Sequence, residues 1–258
     1  MTRKVGLWYH HGRWKERFRP SCAAAANTGN MNIARLIDHT FLKPAGGRGE
    51  VEKLCREAKR CGFASVCVNP AEVSRCAGFL RDSAVKVCTV VDFPLGASTL
   101  RSRCFEALDA IQAGADELDL VVNQRLLKYS PSVCESELLQ WVRTCRTLRS
   151  DLVLKLILEC CNLTRGEIVL GCEIAKRVGF DFVKTSTGFG SGGATLRDVR
   201  LMRRTVGADM GVKAAGGIRD RESAVAMIEA GADRIGTSAG MKIAPAGAGA
   251  VPAAKNGE

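Results

Sequence analysis

Three lysines stand inside segments that otherwise read as buried β-strands. They are Lys155 in "LVLKLILE" (152–159), Lys184 in "DFVKTSTGFGSGG" (181–193) and Lys213 in "GVKAAGG" (211–217). Asp38 in "ARLIDHTFL" (34–42) and Asp119 in "QAGADELDL" (112–120) place carboxylates in the same kind of setting. Burying an unpaired ion costs several kcal/mol, so these charges either neutralise one another or do chemistry. Two neighbouring lysines have a specific use. A lysine with a reference pKa of roughly 10.4 is protonated at neutral pH and cannot attack a carbonyl. A second ammonium nearby, with partial desolvation, penalises the charged form, and a fall of about three units corresponds to roughly 4 kcal/mol. The freed amine forms an imine with an aldehyde or ketone, while an acid such as Asp119 moves protons between water, carbinolamine and enamine. This is the equipment of a Schiff-base aldolase. The competing reading is a structural ion-pair network with no chemistry.

Glycine supplies a second signal. "STGFGSGG" follows the Lys184 strand, "AAGGIRD" contains the end of the Lys213 strand, and "GTSAG" (236–240) closes the next. Gly-rich loops let backbone N–H groups converge on an anion, although ordinary strand–helix turns also need glycine. Three such loops in succession favour a phosphate-bearing substrate.

The elements that must position these groups follow from an internal rhythm. "RCGFASVCV" (60–68), "QAGADELDL", "RVGFDFVKT" (177–185) and "EAGADRIGT" (229–237) each give a helix end, a glycine, two connecting residues and an apolar strand. The glycines at 62, 114, 179 and 231 suit the left-handed conformation that ends a helix. Their spacing is about twice a ~30-residue strand–helix unit. Strands at 34–42, 85–94, 152–159 and 211–217 fill the gaps, with amphipathic helices at 50–61, 100–114, 197–207 and 221–231. Eight alternating units predict a single-domain α/β protein, a (β/α)8 TIM barrel over 31–243. An open doubly wound sheet is the alternative, but no G-x-G-x-x-G follows the first strand. In a barrel, polar residues near strand C-termini face the site. Besides the lysines these are Asp38, Cys67, Asn69, Asp92, Asp119, Asn123 and Glu159.

Bulk properties bound the rest. The 258 residues are 46% apolar, enough for a large core, and no apolar run reaches the roughly 18 residues a membrane span needs. Nearly half of the net charge of +11 lies in residues 1–30, where six Arg and Lys face Glu16 alone, and the remaining body is modestly basic. That N-terminal stretch reads as a disordered basic extension rather than a nucleic-acid-binding element, and Met31, where ordered patterning begins, is a candidate translation start. The Gly/Ala/Pro-rich 244–258 reads as a disordered tail. Twelve cysteines without a C-x-x-C pair read as small buried residues of a reducing cytoplasm. His39 is the only histidine beyond the extension, so no metal site and no cofactor are expected.

At these residues the sequence resembles the deoxyribose-phosphate aldolases of the shorter bacterial type. The matching blocks are "LIDHTFLKP", "SVCVNP", "VCTVVDFPLG", "ADELDLVVN", "LKLILE", "FVKTSTGFGSGGAT", "VKAAGGIR" and "ADRIGTSAG", in order over about residues 32–240. The resemblance implies a metal-free class I aldolase that reversibly cleaves 2-deoxy-D-ribose 5-phosphate to acetaldehyde and D-glyceraldehyde 3-phosphate. It implies Lys184 as the imine-forming lysine, Lys213 as the neighbour that keeps it neutral and relays a proton, and Asp119 as proton donor and acceptor. Asp38 and Lys155 become supporting members of the polar cluster. Cys67 is similar to a cysteine that reacts with aldehydes in some relatives, beside a plain packing role. Gly188, Gly216, Gly217, Gly236 and Ser238 would surround the phosphate, with Ala239 lacking a hydroxyl that many relatives have there. Relatives are often dimers or tetramers, which implies a homo-oligomer. They also carry a C-terminal helix after the eighth strand, where this chain turns to the Gly/Ala/Pro tail, so barrel closure is the feature to check. Two rival readings are an isomerase or synthase barrel, which needs no lysine pair, and a nucleic-acid-binding barrel, which leaves the strand lysines unexplained.

Overall fold

A computed structural model of the chain describes residues 32–245. The basic extension and residues 246–258 of the tail lie outside the described residues. Eight parallel strands pair in sequence order: β1 (Ile37–Phe41), β2 (Ser65–Val68), β3 (Lys86–Val91), β4 (Glu117–Val121), β5 (Val153–Ile157), β6 (Phe182–Lys184), β7 (Gly211–Ala215) and β8 (Arg234–Thr237). β8 pairs with β1, Asp38 opposite Gly236, so the barrel closes within the described residues. The predicted first strand starts late: residues 33–36 form a 3-10 turn, with the Ile37 N–H returning to the Ala34 carbonyl.

The four rhythm glycines behave as their spacing predicts. Gly62, Gly114, Gly179 and Gly231 have φ of 66°, 105°, 95° and 112°, and β2, β4, β6 and β8 each begin three residues later. A side chain is disfavoured at such φ, so glycine lets the helix end and the chain turn into the strand at once. Helices α1 (Arg48–Cys61), α2 (Val73–Leu80), α3 (Leu100–Gln112), α4 (Gln124–Tyr129), α5 (Pro131–Leu148), α6 (Arg165–Val178), α7 (Leu196–Val206), α8 (Arg221–Glu229) and the single turn α9 (Gly240–Ile243) surround the barrel. Thr99, Thr164, Thr195 and Asp220 cap α3, α6, α7 and α8 by accepting an N–H three residues on, each contact contributing about 1 kcal/mol.

Strand alternation divides the side chains into two sets. Ile37, Val66, Val87, Leu118, Leu154, Val183, Val212 and Ile235 join one continuous core with the helices. Their alternates point into the barrel. On the β1–β3 side these form a small apolar cluster, Leu42, Cys67, Cys88 and Val90. At the N-terminal end Phe182 packs on Val153. Gly211 makes room for it, since a Cβ there would lie 2.2 Å from the Phe182 ring. Between these apolar patches the interior is charged. Eight of the eleven cysteines among the described residues are buried, but Cys161 is exposed, against its expected burial.

Candidate active site

Seven ionisable side chains fill the middle of the barrel. Lys184 ends β6 and stands in register with Lys213 on β7, while Asp119 on β4 is in register with Lys155 on β5. Alternation directs all four inward. The Lys184 ammonium donates to Asp119 Oδ2 at 2.9 Å and Lys213 donates to the same oxygen at 2.7 Å. Lys155 donates to the other oxygen, Oδ1, at 2.7 Å. Two ammonium groups on one carboxylate oxygen lie within two hydrogen-bond lengths of each other, so each feels the other's charge.

A second tier lies beneath. Lys155 pairs with Glu117 Oε2 at 2.6 Å, and Lys213 with Asp38 Oδ2 at 2.5 Å. The latter contact is poorly angled for a hydrogen bond, so Asp38 Oδ2 is satisfied by charge alone. The Arg234 guanidinium bridges Asp38, Nε to Oδ1 at 2.8 Å, and Glu117, Nη2 to Oε2 at 2.8 Å. Its guanidinium carbon lies 5.9 Å from the centroid of the Phe182 ring, and Ser65 donates a further hydrogen bond to Asp38 at 2.7 Å. Lys155, Lys213, Asp38, Asp119 and Glu117 have no solvent exposure, and Lys184 and Arg234 retain a few per cent.

Burial alone would push the Asp119 carboxyl up, but Lys155, Lys184 and Lys213 reverse this and hold it well below the ordinary range. Asp38 is likewise lowered, burial being outweighed by Arg234, Lys213 and Lys155. Burial opposes the charge on Lys213 and Lys155, yet the surrounding carboxylates, Asp119 first, raise both. Lys213 is therefore a firmly held ammonium rather than a second free amine.

The family model for DeoC/LacD aldolases matches residues 33–245, the whole described barrel. The chain belongs to this aldolase family. As a family member it is 54% identical over 215 residues to the deoxyribose-phosphate aldolase of Thermoanaerobacter pseudethanolicus, covering 83% of this chain and 96% of that one. It is 53% identical over 211 residues to deoxyribose-phosphate aldolase 1 of Bacillus licheniformis, covering 82% and 94%. The tetrameric deoxyribose phosphate aldolase structure from Aeropyrum pernix superposes with a TM-score of 0.76 at 35% identity, over 82% of this chain and 88% of that one.

The barrel thus brings together Lys184, Lys213, Asp119, Asp38 and Lys155. Cys67 lies at its edge beside Cys88, whose thiol donates to Asp119 Oδ1 at 3.3 Å. The neighbouring Cys88 lowers the Cys67 thiol, whereas burial and Cys67 push Cys88 up. Cys67, Cys88 and Asp119 offer donor atoms within 4.8 Å of one another. Three ammonium groups already occupy Asp119 and would repel a metal cation, so the set fits a metal poorly.

Four strand-end residues expected at the site serve the loops instead. Asp92 binds the buried Arg103 at 2.7 Å, Asn123 accepts the Leu126 N–H as the α4 cap, and Asn69 donates to the Lys43 carbonyl. Glu159 accepts both the N–H and the hydroxyl of Thr187, pinning the loop after β6. In that loop the Thr185 hydroxyl donates to the Ala215 carbonyl, whereas the buried Ser186 hydroxyl has no partner among the described residues. Gly188, Gly216 and Gly217 have φ of 86°, 90° and 82°, and a Cβ on Gly193 would meet the Gly216 oxygen at 2.2 Å. The β6 and β7 loops therefore interlock backbone to backbone. Ser238 is exposed just after β8. Gly236 sits deeper than a rim position, where a Cβ would lie 3.1 Å from Lys213 Cε. Sequence reasoning missed Ser186, Cys88, Glu117 and Arg234.

Proposed function

We propose that this aldolase reversibly cleaves 2-deoxy-D-ribose 5-phosphate to acetaldehyde and D-glyceraldehyde 3-phosphate through an imine on Lys184. One observation carries the choice of nucleophile. Of the four cations in the barrel, Lys155, Lys213 and Arg234 each bridge two carboxylates, whereas among the described residues Lys184 has Asp119 alone. It is the ammonium that loses least by giving up its proton, and it ends its strand at the barrel mouth.

The neutral amine attacks C1 of the open-chain sugar, and loss of water gives a protonated imine. The C3 hydroxyl then loses its proton, the C2–C3 bond breaks, and its electron pair enters the imine as an enamine while D-glyceraldehyde 3-phosphate leaves. Protonation at C2 and hydrolysis release acetaldehyde and restore the amine. Asp119 is suited to relay protons because its Oδ2 accepts from both Lys184 and Lys213, and the Lys213 ammonium stands beside the reacting amine to resupply them. The interlocked glycine loops and the unpartnered Ser186 hydroxyl support a phosphate site there, with Gly188, Gly216, Gly217 and Ser238 at its edge. For Gly236 the contact with Lys213 favours a packing role.

The substrate assignment also rests on the names of the relatives at 54% and 53% identity. The tetrameric Aeropyrum relative supports a homo-oligomer, for which exposed Phe79, Phe105 and Leu148 offer apolar surface. No helix among the described residues is long and apolar enough to cross a membrane. Incubation with 2-deoxy-D-ribose 5-phosphate is expected to release acetaldehyde and the triose phosphate in equal amounts. Release of neither would contradict the assignment.

A further inference from the structure

The charged interior contains one cation too many. Among the described residues, Lys155, Lys184, Lys213 and Arg234 pair with three carboxylates, Asp38, Glu117 and Asp119. A closed low-dielectric interior resists a net charge, so the cluster is balanced once one proton leaves. Lys184 has the single carboxylate partner, and Arg234 does not deprotonate in proteins. Arg234 is also the cation farthest from the chemistry in bonding terms: it touches neither Asp119 nor Lys184, but only Asp38 and Glu117.

We propose that Arg234, held by Glu117 and Asp38, is a positioning residue that supplies the surplus charge which empties the Lys184 amine of its proton. The inference rests on Lys184 being the imine-forming lysine. From β4 both Glu117 oxygens accept from the single nitrogen Nη2 of the guanidinium, and from β1 Asp38 links Arg234 to Lys213. Phe182 shields the underside, made possible by the missing side chain of Gly211. The other ionisable groups facing this space are the thiols of Cys67 on β2 and Cys88 on β3, and Glu159 beyond β5, which is engaged with Thr187.

The test is reductive trapping with acetaldehyde and cyanoborohydride across a pH series, with the modified lysine mapped by mass spectrometry. In Arg234→Met the cluster balances with Lys184 still protonated, so the pH midpoint of Lys184 modification should rise by on the order of one unit. Arg234→Lys keeps the charge and should keep the midpoint even if the fold is weakened. The double variant Glu117→Gln/Arg234→Met removes one charge of each sign, and its midpoint should return toward that of the unaltered enzyme. A merely structural Arg234 would lower stability or yield in all three without moving the midpoint in this order. An unmoved midpoint in Arg234→Met, or a double variant displaced as far as the single one, overturns the proposal. So does thiolate ultraviolet absorbance at neutral pH that vanishes in Cys67→Ala, which would mean that the cluster sheds its proton from sulfur and not from Lys184. Absence of any Lys184 adduct in the unaltered enzyme is a different outcome, and removes the imine assignment itself.

Discussion

Lys184 and Lys213 stand opposite each other in the β6–β7 register and share a single oxygen, Oδ2 of Asp119. Their roles differ because their other partners differ. Lys213 has a second carboxylate in Asp38, which holds its proton, and Lys184 has none among the described residues. Replacing Lys213 with leucine removes the fixed ammonium beside the nucleophile. The pH optimum should move upward and the rate at neutral pH should fall about 100-fold or more. A pH profile of kcat/KM checks this, and an unchanged profile would remove the role.

Gly236 is placed to test how tightly Lys213 is held. An alanine Cβ there would meet Lys213 Cε at 3.1 Å and Ala215 Cβ at 2.9 Å. Gly236→Ala should lower kcat by roughly tenfold with little change in KM, since the displaced ammonium serves proton transfer rather than binding. Steady-state kinetics separates the two. A rise in KM alone would return Gly236 to the phosphate.

Glu159 makes the complementary prediction for binding. Its carboxylate fixes Thr187, whose hydroxyl in turn accepts the Phe189 N–H at 3.0 Å. Glu159→Gln should loosen the glycine loop and raise KM for the phosphorylated sugar by about tenfold. The unphosphorylated sugar, which does not use that loop, should be turned over as before. Equal losses on both sugars would contradict a phosphate loop.

Stability should depend on acid through the same cluster. Asp38 and Asp119 lie below their ordinary value of 3.8 when folded. A carboxyl lowered on folding stabilises fully above its unfolded value, and the stabilisation is lost as pH falls toward the folded value. Denaturant midpoints should therefore be steady from pH 7 to about 5 and drop below about pH 4. Lys155 and Lys213, raised on folding, act in the opposite sense and lose stabilisation only above their ordinary value of 10.5. Asp119→Asn should flatten the acid limb, and an acid limb as steep as before would assign it elsewhere.

Much of this was legible in the chain. The four rhythm glycines marked strand starts because a left-handed helix end is a local requirement that sequence alone states. Lys155, Lys184, Lys213, Asp38 and Asp119 were conspicuous because a charge on an apolar strand has few explanations. Glu117 and Arg234 were not, because each stands at the first position of its strand, where a charge ordinarily marks a solvated turn. Two positions before Asp119, Glu117 shares its face by strand alternation, which is the signal that could have found it. Asp92, Asn69, Asn123 and Glu159 were drawn toward the site because strand-end polarity does not reveal where the following loop turns. The partners Arg103, Lys43 and Thr187 are set by tertiary packing, and Leu126 belongs to the local cap that Asn123 makes for α4.

The central claim is that Lys184 is the amine that bonds to the substrate. Borohydride reduction in the presence of acetaldehyde, followed by peptide mass mapping, reads this directly. The account predicts a two-carbon adduct on Lys184 that disappears in Lys184→Ala. No adduct, or one that maps to Lys155 or Lys213, would contradict it.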